Sequence, residues 1–447
     1  MTATGLSGPS QGPTPRSCTS NSDLAARLIS AVSRELEQLE SVAAERETAA
    51  KIQHARGILD WVARTERSDS DTVARLESQV RALTRIEVPG NEFPDLATAA
   101  HRLLVARGQL PSDDPVAGLT TDEPAEPPLS PERVTDYLRT RDGGTEDTVR
   151  AVRTIHGGFS KRTMMVTGTV SGEPCEVVIR QVPLGRSGRS LAPEFEVVKT
   201  AHASGLPVPE PLWIEAHDNA LGGPFFVTRR SKGENLGDVW GPAGATKEVC
   251  LEVAELYARL HAIEVDGLNA PISPRTTPAE LQQTLDWHES TLAKRGIEIE
   301  PVLAALFAWL RANLPPAAAR RSLIHGDAAF SNLLIEDGHV SAILDWEAAH
   351  LGDPAEELAY LRPSIEPIMA WPEFLSAYVS AGGTAPDPRA LRFYEVWQHV
   401  WRHIGGLWLS QNFDQSGRYA SAVAAYVHSP RFLHEAVAAA FGTSEPS

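Results

Sequence analysis

The sequence predicts an α+β protein in which a small all-α module precedes a β-rich segment and a mainly helical one. Three observations predict it: apolar residues at helical spacing before residue 110, strand-like alternation between Val149 and Thr228, and helical stripes again from Val249 onward. At 447 residues, 42% of them hydrophobic, the chain exceeds one small core and divides into two or three units.

Residues 1–21 carry Gly, Ser, Thr and Pro without periodicity and are expected to be disordered. Leu24, Leu28, Val32, Leu36 and Leu39 then recur at helical spacing, as do Ile52, Ala55, Leu59 and Val62. Val73, Leu76, Val80 and Leu83 suggest a third helix, and Leu96, Ala100, Leu103 and Leu104 a fourth, so residues 22–110 read as a helical module. Its histidines, His54 and His101, are isolated, and the module is expected to dock a protein partner or to self-associate. Residues 111–130, rich in Pro, Asp, Glu, Thr and Ser, read as a linker, and a short helix is expected over 131–140.

Residues 152–160 and 163–168 read as a strand, a Gly-containing turn and a returning strand. The backbone amides of Gly157, Gly158, Phe159 and Ser160 can close over phosphates, although a Gly-Gly hairpin is often only a hairpin. The next strand, 175–180, ends in Arg180, and a helix opening near Pro193 carries Glu194. A strand cation paired with a helix glutamate is how kinases hold the α- and β-phosphates; a surface arginine at a strand end is the alternative. Phe225 to Thr228 reads as a buried strand leading into a hinge at Gly233, which places Val227, Thr228 and Arg229 beside an adenine.

The most informative stretch is Leu323-Ile324-His325-Gly326-Asp327-Ala328-Ala329-Phe330-Ser331-Asn332, followed by Leu344-Asp345-Trp346-Glu347. Asp327 and Asn332 have the spacing of the aspartate and asparagine in a kinase catalytic loop, and Asp345 falls where a second magnesium-binding aspartate belongs. A carboxylate can position an attacking hydroxyl and take its proton, while an amide and a second carboxylate supply hard oxygens to magnesium. One such residue is readily explained as a turn former; three at matched spacing between apolar strands are not.

The formal net charge of −17 argues against nucleic acid or an anionic membrane as partner, since both require a clustered basic surface. Cys18, Cys175 and Cys250 are widely separated and odd in number, which indicates neither a disulfide framework nor a zinc knuckle. With no apolar leader and no run of membrane-spanning length, a cytoplasmic protein is expected.

Gly157-Gly158-Phe159-Ser160, the Val178-Ile179-Arg180 strand, Glu194, Pro207-Val208-Pro209, His325-Gly326-Asp327, Asn332, Asp345-Trp346-Glu347 and Gly352-Asp353-Pro354 together resemble the aminoglycoside phosphotransferase-like kinase family. The branch they most resemble holds the kinase domains fused to acyl-CoA dehydrogenases, and the likeness covers about residues 131–440. The resemblance implies a protein-kinase-like bilobal fold, with a β-rich N-lobe over 131–232 and a helical C-lobe over 233–447. It also implies ATP and Mg2+ as cofactors and a small-molecule hydroxyl as acceptor. Carried over residue by residue, Asp327 is the catalytic base, Asn332 and Asp345 bind magnesium, Arg180 with Glu194 orients phosphates, and His325 and Asp353 support the loop. An arginine at position 180 is usual in that branch, whereas Glu357 stands where an aspartate is more usual, with little effect expected.

In the C-lobe, Val249, Val253, Leu256 and Leu260 form a core stripe over 246–263, and His261 is read as structural. Trp397, Trp401, Ile404 and Trp408 share one helical face while His399, Arg402 and Gly406 take another. This is either a core helix with a polar outer side or an acceptor pocket in which His399, Trp401 and Arg402 meet substrate. So few acids favour an apolar or anionic acceptor, such as a hydroxyacyl thioester, over an aminoglycoside or macrolide antibiotic. A nucleotide-binding regulatory module without transfer activity is the competing class.

Overall fold

In this computed structural model, residues 129–442 are described except 143–147, 156–160, 171–172, 183–190, 237–243, 267, 269, 271 and 411–418. The expected disordered start, the helical module, nearly all of the linker and the Gly157–Ser160 turn lie outside the described residues.

The linker ends in structure: Leu129 is buried and Ser130 accepts a hydrogen bond from Arg133 N at the start of α1 (Pro131–Asp142). Five antiparallel strands follow, β1 (Thr148–Ile155), β2 (Arg162–Val170), β3 (Glu173–Gln181), β4 (Pro211–Glu215) and β5 (Phe225–Arg229), in the order β1-β2-β3-β5-β4. Val134, Tyr137 and Leu138 of α1 pack on Met164, Val166, Val177, Ile179, Phe225 and Val227, closing one face of the sheet. Side chains alternate across a strand, so Arg180, opposite Phe226, projects from the other face. There α2 (Leu191–Ala203) packs Leu191 and Phe195 against Phe226 and brings Glu194 under the sheet.

The second lobe holds α3 (Lys247–His261), α4 (Pro278–Lys294), α5 (Pro301–Ala312), α6 (Pro354–Ile365), α7 (Trp371–Ser380), α8 (Pro388–Ser410) and α9 (Tyr419–Phe441). Thr246 caps α3 by accepting from Val249 N, and the expected stripe Val249, Val253, Leu256 and Leu260 is buried. A capping box at Thr277 and Glu280 starts α4. One core gathers α4, α5, α8 and α9; another gathers α3, α6, α7 and the short strands between.

Those strands build the loop of interest. β7 (Ser322–Ile324) pairs with β10 (His350–Gly352), while β6 (Glu234–Asn235), β8 (Leu333–Glu336) and β9 (His339–Ile343) form a second small sheet. Gly326, two residues beyond β7, has φ +80°, and a Cβ there would lie 2.5 Å from the Ala348 carbonyl oxygen. Gly326→Ala is therefore expected to cost about 1–3 kcal/mol in urea unfolding relative to the parent protein.

Candidate active site

The segment after β7 is held from below by a single side chain. Glu357 of α6, with no exposed surface, accepts from His325 N at 2.6 Å and from Gly326 N at 3.2 Å. His325 is likewise buried; its Nε2 donates to Leu344 O at 2.8 Å, and its Nδ1 accepts from Asp327 N at 3.2 Å. One imidazole thus ties the Asp327 turn to the residue before Asp345. Asp353 supports more remotely: it caps α6 by accepting from Ala355 N at 2.9 Å. His261 is structural, with Nδ1 2.8 Å from the Tyr378 hydroxyl.

The chain folds Asn332 back onto Asp327 through a 3-10 turn over Phe330–Asn332. Asn332 Nδ2 donates to Asp327 O at 2.9 Å and to Asp327 Oδ2 at 3.0 Å, which leaves the amide oxygen to face a cation. Tyr360, three residues after Glu357 on α6, donates its hydroxyl to Asp327 Oδ1. Burial raises the Asp327 pKa above the usual carboxylate range, against the lowering effect of the Tyr360 hydrogen bond.

Asp345 has φ 63° and ψ 65°; among the described residues only Asp337 is another non-glycine with positive φ. That left-handed conformation costs roughly 1–2 kcal/mol and points the carboxylate at the sheet. Arg180 Nη2 meets Asp345 Oδ1 at 2.6 Å and Glu194 Oε1 at 3.3 Å. Lys161 Nζ lies 2.6 Å from Glu194 Oε2 and 2.6 Å from Glu347 Oε2. Burial pushes the Asp345 pKa up, but Arg180 and Lys161 outweigh it and hold the carboxyl below its ordinary value. Asp345 and Asn332 thereby offer an ionised carboxylate and an amide oxygen, a donor set that fits magnesium.

The other expected residues divide. Thr228 lies opposite Val178, on the sheet face that carries Arg180. Val227 does not: it is fully buried in the α1 core, so it can present only its backbone to a nucleotide. Arg229 is exposed and its side chain is paired with Glu210 at 2.6 Å. Near Asp327, the Arg402 guanidinium sits 4.0 Å above the Tyr360 ring and Trp401 stands edge-on to it at 6.1 Å. His399 departs from this group, because its Nδ1 faces Glu435 of α9 at 3.1 Å and it is buried.

A cavity of about 490 Å3 opens beside the charge cluster, bordered by Lys161, Glu194, Glu347, Arg275, Trp287 and His288. A smaller recess beside it is lined by Gly326, Tyr360, Trp397 and Trp401, and Arg275 and Ala348 border both. Sequence reasoning missed Lys161, the hydrogen bonds of Glu357, and Tyr360. For Lys161 the available signal was a lysine directly after Gly-Gly-Phe-Ser; for Tyr360 nothing local marks it.

A family model described as "APH: Phosphotransferase enzyme family" matches residues 151–394. Acyl-CoA dehydrogenase family member 11 from Gallus gallus is 31% identical over 182 residues, 40% of this chain and 23% of that protein. The mouse protein of the same name is 26% identical over 238 residues and is covered over 30% of its length, so the chain spans less than a third of these relatives. Viomycin phosphotransferase from Streptomyces vinaceus is 29% identical over 212 residues, 43% of this chain and 66% of that protein. Among solved structures, a Ralstonia eutropha protein provisionally described as an aminoglycoside phosphotransferase superposes with a TM-score of 0.55 at 18% identity. The superposition covers 70% of this chain and 98% of that one, and it shows that the two share a fold.

Replacing Glu357 by Ala would strand the buried N–H of His325 and the half-buried N–H of Gly326. Glu357→Ala is expected to lose about 2–4 kcal/mol in denaturant unfolding, with Glu357→Gln losing less because one acceptor oxygen remains.

Proposed function

Because the chain belongs to the APH phosphotransferase enzyme family, we propose that it transfers the γ-phosphate of ATP to a hydroxyl of a small molecule. The observation that carries this reading is Asp327, whose two carboxylate oxygens are oriented by Tyr360 and Asn332 beside the Asp345, Arg180 and Glu194 cluster. In it, Asp327 aligns the acceptor hydroxyl and takes its proton as the oxygen attacks phosphorus. Arg180, set by Glu194, faces the phosphates, and backbone near Thr228 borders the adenine. Asn332 and Asp345 would hold magnesium, which when bound neutralises phosphate charge. Gly157 to Ser160 keep the phosphate-covering role read from the sequence.

We assign the acceptor to the two cavities, the smaller of which is lined by Gly326 and Tyr360, the neighbours of Asp327. Their carboxylates are already engaged: Glu194 and Glu347 with Lys161, Glu356 with His350, and Glu280 with the Thr276 and Thr277 N–H groups. That leaves few acids to pair with a polycation, while Trp287, Trp401 and Arg275, itself 3.8 Å from Glu356 Oε1, suit an apolar or anionic molecule. A hydroxyacyl thioester is our preferred acceptor, in keeping with the acyl-CoA dehydrogenase relatives; an aminoglycoside or macrolide is the alternative.

The decisive experiment follows ADP release with hydroxyacyl-CoA, aminoglycoside and macrolide panels, using parent protein and Asp327→Ala in parallel. Hydroxyacyl-CoA turnover that falls by roughly 10²–10⁴-fold in the variant is expected. Undiminished transfer by Asp327→Ala refutes the base assignment, and ATP binding without transfer to any acceptor favours a regulatory module. The pH profile adds a second check. The Tyr360 hydrogen bond lowers the pKa of Asp327, so Tyr360→Phe should move the acid limb of kcat/KM to higher pH; a shift downward contradicts the assignment.

A further inference from the structure

Lys161 is the residue immediately before β2, two positions from Thr163, which pairs with Arg180 across the β2–β3 ladder. Residues two apart share a face, so Lys161 and Arg180 leave adjacent strands on the same side of the sheet. Both reach Glu194, which divides its oxygens between them: Oε2 meets Lys161 at 2.6 Å and Oε1 meets Arg180 at 3.3 Å. The helix glutamate that orients one strand cation in a kinase therefore orients two here, with Lys161 the nearer.

The partners of Lys161 differ in kind. Glu194 is buried with 5% of its side chain exposed, whereas Glu347 is 31% exposed and borders the large cavity, as does Lys161 itself. Burying an ammonium is costly unless it is paired; Glu194 already supplies that pair, so the more exposed Glu347 is a second partner that another anion can replace. Arg180 is committed on its far side to Asp345.

We propose that Lys161 is a second phosphate-binding cation, contacting the terminal phosphate oxygens of a nucleoside triphosphate, with Glu194 as its fixed anchor and Glu347 as the partner that phosphate displaces. This rests on the ATP-dependent reading above. Arg180 then grips the phosphates from the Asp345 side and Lys161 from the cavity side, where the phosphoryl group leaves for the acceptor.

Calorimetric titration of the full chain with Mg2+–AMP-PNP and, separately, with AMP tests it. Lys161→Ala should weaken AMP-PNP binding by tenfold or more while leaving AMP affinity within about twofold, since AMP lacks the terminal phosphates. Lys161→Arg should recover most of the lost affinity, and Glu347→Gln should tighten AMP-PNP binding by removing the competing carboxylate. If Lys161→Ala does not fold, Lys161→Gln serves in its place. Equal losses for AMP and AMP-PNP, or unchanged AMP-PNP binding, would overturn the inference while leaving the phosphotransferase reading intact. A parent protein that binds no AMP-PNP overturns both.

Discussion

Glu357 lies wholly buried beneath the turn that follows β7, where its two oxygens accept from the His325 and Gly326 N–H groups. A carboxylate without solvent is tolerable only when its lone pairs are filled, and charge-assisted bonds to backbone amides fill them. The rest of the site is built outward from that contact. With the backbone held, His325 can reach Leu344 O and so fix the approach to Asp345. The same helix carries Tyr360 one turn beyond Glu357, which sets the orientation of Asp327. Asp353 and Pro354 decide where that helix begins, so the cap and both anchors move together.

The second organising feature is the exchange of charge between the lobes. Arg180 and Lys161 come from the sheet, Glu194 from α2, and Asp345 and Glu347 from the segment after β9. Each group is costly to bury alone; together two cations and three carboxylates pair across the cleft and leave one negative charge in excess. The strained backbone of Asp345 persists within it because Leu344 N is bonded to Asn332 O while Arg180 holds the side chain.

Much of this was legible without coordinates where the signal is local. The alternation of Val177 and Ile179 announces β3 and sends Arg180 to the opposite face, and the apolar stripe Val249, Val253, Leu256 and Leu260 announces α3. Spacing alone brought Asp327, Asn332 and Asp345 forward as one constellation. Sequence does not say which face of an element meets the cleft: the Val227 side chain belongs to the α1 core, and His399 turns toward Glu435 although it lies between Gln398 and Val400 on the helix that carries Trp401 and Arg402. Glu357 looked like a minor variation on an aspartate because its partners are backbone amides more than thirty positions away.

By itself, then, the sequence determined the fold class, the strands around Arg180 and over 225–228, the helix over 246–263 and the residue types at the loop ends, because these follow from periodicity and turn chemistry within a few residues. Only the tertiary structure decided that Lys161 shares Glu194 with Arg180, that Tyr360 joins Asn332 in orienting Asp327, and that the acids around the cavities are already paired. The contacts of Lys161 with Glu194 and Glu347, and of Tyr360 with Asp327, join residues 33 to 186 positions apart. Their geometry is set by how sheet and helices pack, which no local pattern encodes.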